Sequence, residues 1–108
     1  MKEIVKKWFK FAESDFDAAE YLFQKPRANQ WTYILVVWHC HQAIEKILKT
    51  IIIHQGKEIL RMHDLPKLFK STGLNNLSDK QTNFLFELNQ HYLTPVWNNY
   101  YFFDKPPL

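Results

Sequence analysis

The sequence predicts an all-α fold, a four- to five-helix and mainly antiparallel bundle, from three observations. Apolar residues recur at helical spacing over long stretches of the chain. Glycine occurs only twice, and the absence of Asn-Gly and Asp-Gly pairs argues against a hairpin-rich β fold. A composition with 46% hydrophobic and 23% charged residues excludes disordered and collagen-like chains. We therefore expect a single helical domain that spans residues 1–108.

The first helix is predicted from Lys2 to Gln24, before a loop that contains Pro26. Asp15 lies at the edge of its apolar stripe, where a carboxylate either pairs with another group or turns toward solvent. The stripe that we expect to be buried consists of Val5, Trp8, Ala12, Phe16, Ala19 and Phe23.

The second helix is predicted from about Trp31 to His54, with Gly56 as its C-cap. Its first half, residues 33–38, is apolar on all sides and needs covering, for which a second subunit is a natural source. Glu45 lies four residues before Lys49 and four residues after His41, so it can form an ion pair with either one on a helix. Such pairs most often lie on a solvated face. Four polar residues gather on one side of the second half: Gln42, Glu45, Lys46 and Lys49.

Two shorter helices are predicted after residue 62. Asp64 is placed to cap the first of them, with Pro66 in its first turn and Gly73 at its end. Residues 78–81 form a capping-box pattern at the start of the other, which must stop near Pro95. Its expected buried residues are Gln81 or Phe84, followed by Leu85, Leu88 and Tyr92. The aromatic residues within 92–103 form either a fifth packing element or an interface.

The sequence offers little support for a metal site or a bound cofactor. His39 and His41 are two residues apart and face different sides of a helix, and no CxxC or HExxH motif is present. The two common glycine-rich phosphate-binding motifs are also missing. Cys40 falls on an apolar face and is expected to be core, so a Cys–His nucleophile is a weak candidate.

Charge and hydropathy favour a cytoplasmic protein that binds neither DNA nor membranes. The formal net charge of +3 is scattered along the chain rather than concentrated in one basic face. The single cysteine excludes an internal disulfide and fits a reducing compartment. No apolar run is long enough to span a bilayer, and residues 1–3 do not begin a signal peptide.

Four short motifs, in order, resemble those of the HEPN domain family (higher eukaryotes and prokaryotes nucleotide-binding). Residues 41–49, HQAIEKILK, resemble its QAxEKxLK signature, and residues 12–18, AESDFDA, are similar to its AxxDxxxA pattern. Residues 63–68, HDLPKL, match its HDLxxL element, and residues 88–93, LNQHYL, resemble its LNxxY stretch. Together the motifs span residues 12–93, most of the chain.

The resemblance implies a helical bundle that commonly forms homodimers, and it draws attention to a set of polar residues. Asp15 is expected near the face of the second helix that carries Gln42, Glu45 and Lys46, and His63 joins this set. Such a network serves either ligand binding or the fixing of helix register, and both interpretations stay open. Lys46 and Lys49, with Trp97 and Tyr100 as aromatic platforms, are the candidate nucleotide contacts.

The resemblance allows two functions, and the sequence favours one. Some family members are metal-independent RNase toxins that use an Arg-x(4–6)-His motif, whereas others bind nucleotides or support a small nucleotidyltransferase. No Arg-x(4–6)-His is present here, and Val96 stands where many relatives have an arginine. We therefore predict no catalytic residues and a non-catalytic, dimeric accessory module that binds a nucleotide or acts with a nucleotidyltransferase. The alternatives are an RNase toxin of a toxin–antitoxin pair, built on His41, His63 or His91 with Lys46, and a purely structural interaction domain.

Overall fold

The computed structural model describes residues 2–26 and 29–92, and for His91 and Tyr92 the backbone only. These residues form four helices: α1 (Glu3–Phe23), α2 (Gln30–His54), α3 (Leu65–Ser71) and α4 (Asp79–Tyr92). The described residues contain no strand, so the predicted all-α class is confirmed. The expected aromatic fifth element, including Trp97 and Tyr100, lies outside the described residues, as does Val96.

Side-chain caps explain where α2 and α3 begin. The side chain of Asn29 accepts hydrogen bonds from the backbone N–H groups of Trp31 and Thr32, at 3.0 and 3.1 Å. The side chain of Asp64 accepts from the N–H of Lys67 at 3.0 Å, which confirms its predicted role. Each bond satisfies an N–H that has no partner inside its helix, so the sequence sets both starting points locally.

The predicted capping box starts α4. The N–H of Ser78 donates to Oε1 of Gln81 at 2.9 Å, and the N–H of Gln81 donates to Oγ of Ser78 at 3.1 Å. Gly56 follows the end of α2, where it adopts a φ of 78°, a conformation that side chains with a Cβ disfavour.

The main core lies between α2, α3 and α4. Its six buried residues are Leu48, Ile52, Leu65, Leu68, Leu85 and Leu88. Leu85 and Leu88 were expected there, but the residues proposed for the preceding turn were not buried: Gln81 is exposed and Phe84 is 50% exposed. The first turns of α4 are therefore less buried than the sequence predicts, although they line a cavity together with α2.

α1 packs along α2, and the short connection of residues 24–29 makes the two helices antiparallel neighbours. Val5, Ala12 and Ala19 are buried in this contact, as predicted. Phe16 and Phe23 are 57% and 65% exposed, so the predicted stripe is wrong at these two positions, and Trp8 is only partly buried. The α2-facing side of α1 is narrow and rich in alanine, and the bulkier rings lie beside it.

Candidate functional site

A polar cluster joins α1 to α2 around Asp15. The Oδ1 atom of Asp15 lies 3.1 Å from Nδ1 of His39, and its Oδ2 accepts a hydrogen bond from Nζ of Lys46. The three side chains are only 14%, 24% and 20% exposed, in that order. Of the two interpretations of Asp15, the structure thus selects the carboxylate with partners over the one turned to solvent.

These partners set the protonation state of Asp15. Burial acts to raise the pKa of the Asp15 carboxyl, but the hydrogen bonds and charges of His39 and Lys46 outweigh burial and lower it. Lys46 has a further contact, because its Nζ lies 5.3 Å from the centroid of the Phe11 ring. The cluster therefore combines an ionised carboxylate with an ammonium group covered on one side by an aromatic ring.

A second polar cluster surrounds Glu45, where α2 meets the segment that leads into α3. Oε2 of Glu45 accepts a hydrogen bond from Nζ of Lys49 at 3.1 Å, and Oε1 lies 3.0 Å from Nδ1 of His63. Glu45 and Lys49 are buried, so the expectation of an ion pair on a solvated face is wrong. The covering elements are α3 and α4, which pack against this part of α2.

His41 occupies the interior of the second cluster. Its side chain is fully buried, with Nδ1 3.8 Å from Oε1 of Glu45. Burial lowers the pKa of His41 to about 4, although the charge of Glu45 and hydrogen bonding to Asn89 and to the backbone of His63 act to raise it. The imidazole is therefore neutral at physiological pH.

The polar residues singled out from the sequence divide between the two clusters. Asp15 and Lys46 belong to the first, whereas Glu45, Lys49 and His63 belong to the second. Gln42 is partly buried on α2, and its side chain makes no hydrogen bond within residues 2–26 and 29–92.

Two members of these clusters, His39 and Asn89, were not predicted from the sequence, whereas the approach of His41 to Glu45 was expected from their spacing. His39 precedes Lys46 by seven residues, a spacing that places both on one helix face and was an available signal. The side chain of Asn89 accepts a hydrogen bond from the backbone N–H of Leu65 at 3.0 Å, which ties α4 to the start of α3. No local pattern announces that contact, because the two residues are far apart in sequence.

A shallow cavity of about 280 Å³ lies on the outer side of α1, next to the first cluster. It is lined by Lys7, Lys10, Phe11 and Ser14. The Phe11 ring is 62% exposed, and both lysines are exposed. The Phe11 ring also meets the ammonium group of Lys46, so it forms the boundary between the cavity and the polar cluster.

Other kinds of site are not evident in the part of the chain that the structure describes. There, no three His, Cys, Asp or Glu side chains are grouped so that they could hold a metal ion. None of the described helices combines the length and apolar character that crossing a membrane requires. Burial raises the pKa of the Cys40 thiol, which packs against the main core, so this cysteine is a poor nucleophile.

The sequence was compared with models of known protein families, with curated proteins and with solved structures. The family model described as HEPN domain matches residues 5–105, nearly the whole chain. No curated protein and no solved structure matches the sequence significantly. The matched range includes both polar clusters and all four helices, except for the first two residues of α1. The chain belongs to the HEPN domain family.

Proposed function

We propose that this chain is a non-catalytic, homodimeric binding module that holds a nucleotide on the outer side of α1. The observation that carries the proposal is the cavity of about 280 Å³ lined by Lys7, Lys10, Phe11 and Ser14. Two ammonium groups suit the phosphates, and the exposed aromatic ring beside them suits a base.

The lysines of this cavity are better placed for a ligand than those expected from the sequence. Lys46 and Lys49 are already paired with the carboxylates of Asp15 and Glu45. Lys7 and Lys10 are exposed, and neither forms an ion pair with a carboxylate of the described residues. Phosphate binding at these two lysines therefore breaks no existing interaction of the fold.

The same pairing supports a role without catalysis. Stabilising the charge that develops during RNA cleavage needs a cation aimed at the phosphate. The sequence has no Arg-x(4–6)-His motif, and the two lysines of the polar clusters, Lys46 and Lys49, are paired with carboxylates. In this proposal the two polar clusters hold the helices in register, and a small nucleotidyltransferase partner is supported by family membership alone.

One observation favours the RNase alternative. The side chain of His63 is 59% exposed, while its Nδ1 is held by the buried carboxylate of Glu45. A carboxylate only accepts hydrogen bonds, so Nδ1 carries the hydrogen and Nε2 is the basic nitrogen, the arrangement used for proton transfer in catalysis. RNA cleavage by the purified chain that is lost in His63→Ala would replace the proposed function with this one.

Titration of the full chain with ATP and GTP, followed by calorimetry, tests the nucleotide site. We expect binding that weakens at least about tenfold in a Lys7→Ala/Lys10→Ala variant and also weakens in Phe11→Leu. Lys67→Ala/Lys70→Ala removes the same charge from exposed positions on α3 and serves as the matched control. Absence of binding at millimolar nucleotide, or an equal loss in the control, would contradict the site.

A further inference from the structure

Two cavities lie on one side of the bundle and share the side chains of Ile44 and Ile47 on α2. The larger, of about 590 Å³, lies between α2 and the start of α4 and is lined by apolar residues that include Ile51, Leu77 and Phe84. The smaller, of about 290 Å³, lies between α2 and α1 and includes Phe16. We call this combined surface the isoleucine face.

The isoleucine face exposes large apolar side chains along its whole width. Phe16 at its α1 end is 57% exposed, and Phe84 and Leu74 at its α4 end are 50% and 41% exposed. Monomeric proteins seldom leave a continuous apolar surface of this kind in water. We therefore expect a partner to cover the isoleucine face, and the charges at its two ends indicate which partner.

Charges of opposite sign mark the two ends of the isoleucine face. Glu13 and Asp17 border the smaller cavity at the α1 end, and Lys80 borders the larger cavity at the α4 end. All three side chains are exposed, and none forms an ion pair within the described part of the chain. The two acids and the lysine are thus available for ion pairs with a partner that carries a positive charge opposite the α1 end and a negative charge opposite the α4 end.

A second copy of the chain presents that order. A two-fold axis placed close to Ile47 would bring the α1 end of one copy onto the α4 end of the other. Glu13 and Asp17 would then face the partner's Lys80, and the exposed ring of Phe16 would face the larger cavity of the partner. An interface between identical subunits requires such self-complementarity in both shape and charge.

We propose that the isoleucine face is the interface of a symmetric homodimer, with Ile44 and Ile47 at its centre. The inference rests on the homodimer of the proposed function and is independent of its nucleotide site. Apolar contact supplies most of the affinity, since exposed ion pairs contribute little individually, and the charges set the relative orientation of the two copies.

Sedimentation of the full chain, compared with an Ile47→Lys variant, tests the interface. We expect a dimer whose dissociation constant rises at least about 100-fold in the variant, because a lysine at the centre of an apolar interface is desolvated without a partner. Tyr21→Lys is the control, since Tyr21 is 77% exposed and lines neither cavity. Circular dichroism should give the same helicity for all three proteins.

Charge reversal tests the orientation. We expect Glu13→Lys/Asp17→Lys and Lys80→Glu each to weaken the homodimer, and an equimolar mixture of the two variants to form a heterodimer in which both ends are again complementary. If the parent chain is monomeric, the proposed interface is wrong. This holds whether residues 93–108 cover the isoleucine face or the face has no occupant. Failure of the mixture to pair would overturn the orientation. Nucleotide titration of Ile47→Lys separates these failures from that of the cavity on α1, which lies outside the interface.

Discussion

The Oδ1 atom of Asp15 on α1 lies 3.1 Å from Nδ1 of His39 on α2, in an interface where only 14% of the Asp15 side chain is exposed. The other carboxylate oxygen is bound by Lys46. Apart from this cluster, the contact between α1 and α2 is made by small and apolar residues. The pairing of Asp15 is therefore the main polar link that fixes how α1 lies on α2.

Removal of this carboxylate should destabilise the fold. In Asp15→Ala, the ammonium of Lys46 and the ring of His39 stay largely buried without their acceptor, and we expect the free energy of unfolding to fall by about 2–3 kcal/mol. Urea unfolding at pH 7 measures the change. Glu20→Ala, which removes an exposed acid from the same helix, should change it by less than about 0.5 kcal/mol. Equal effects of the two substitutions would remove Asp15 from this role.

Buried His41 should make stability depend on pH. Its pKa is about 4 in the folded chain against 6.5 for an ordinary histidine, so between these values the unfolded chain binds a proton that the folded chain does not. The His41 contribution is complete above pH 6.5, falls as the pH decreases toward 4, and changes no further below that. The full change is roughly 3 kcal/mol.

Urea unfolding between pH 7 and pH 4 tests this dependence. His41→Leu lowers stability at every pH, but it should also flatten the decrease over this interval, which a general loss of packing would leave in place. A decrease as steep in the variant as in the parent chain would show that His41 is not the source of the pH dependence.

The N-cap of α2 should contribute measurably to stability. Asn29→Ala removes the acceptor for the N–H groups of Trp31 and Thr32, and we expect a loss of about 1 kcal/mol in the free energy of unfolding. Thermal or urea unfolding measures it. Asn75→Ala is a suitable control because Asn75 is exposed between α3 and α4 and makes no hydrogen bond within the described residues. Similar losses in both variants would argue against a capping effect.

The sequence predicts those features of the fold that depend on neighbouring residues. Asn-, Asp- and Ser-capped helix starts need only a side chain and an N–H two or three residues later, so Asp64 and the Ser78–Gln81 box were predictable. The motif resemblance likewise indicated that Asp15 approaches α2 near Lys46, a contact that the structure contains.

Features that depend on distant partners were predicted less well. From hydrophobicity alone, Phe16 and Phe23 were predicted on the buried side of α1. In the structure, the smaller residues beside them pack closely on α2 instead. The i,i+4 spacing of Glu45 and Lys49 is the same in a solvated pair and a buried one. Only the position of α3 and α4 in space distinguishes them, and it brings His63 to a carboxylate eighteen positions earlier in the chain.

The arrangement of α2 has a consequence for tolerance to substitution. Within one 25-residue helix, His39 and Lys46 bind the carboxylate of α1, Glu45 binds His63, and Ile44 and Ile47 line both cavities. A substitution on this helix therefore disturbs contacts with more than one neighbouring element. We expect random mutagenesis, scored by folding, to find most of the intolerant positions in the second half of α2.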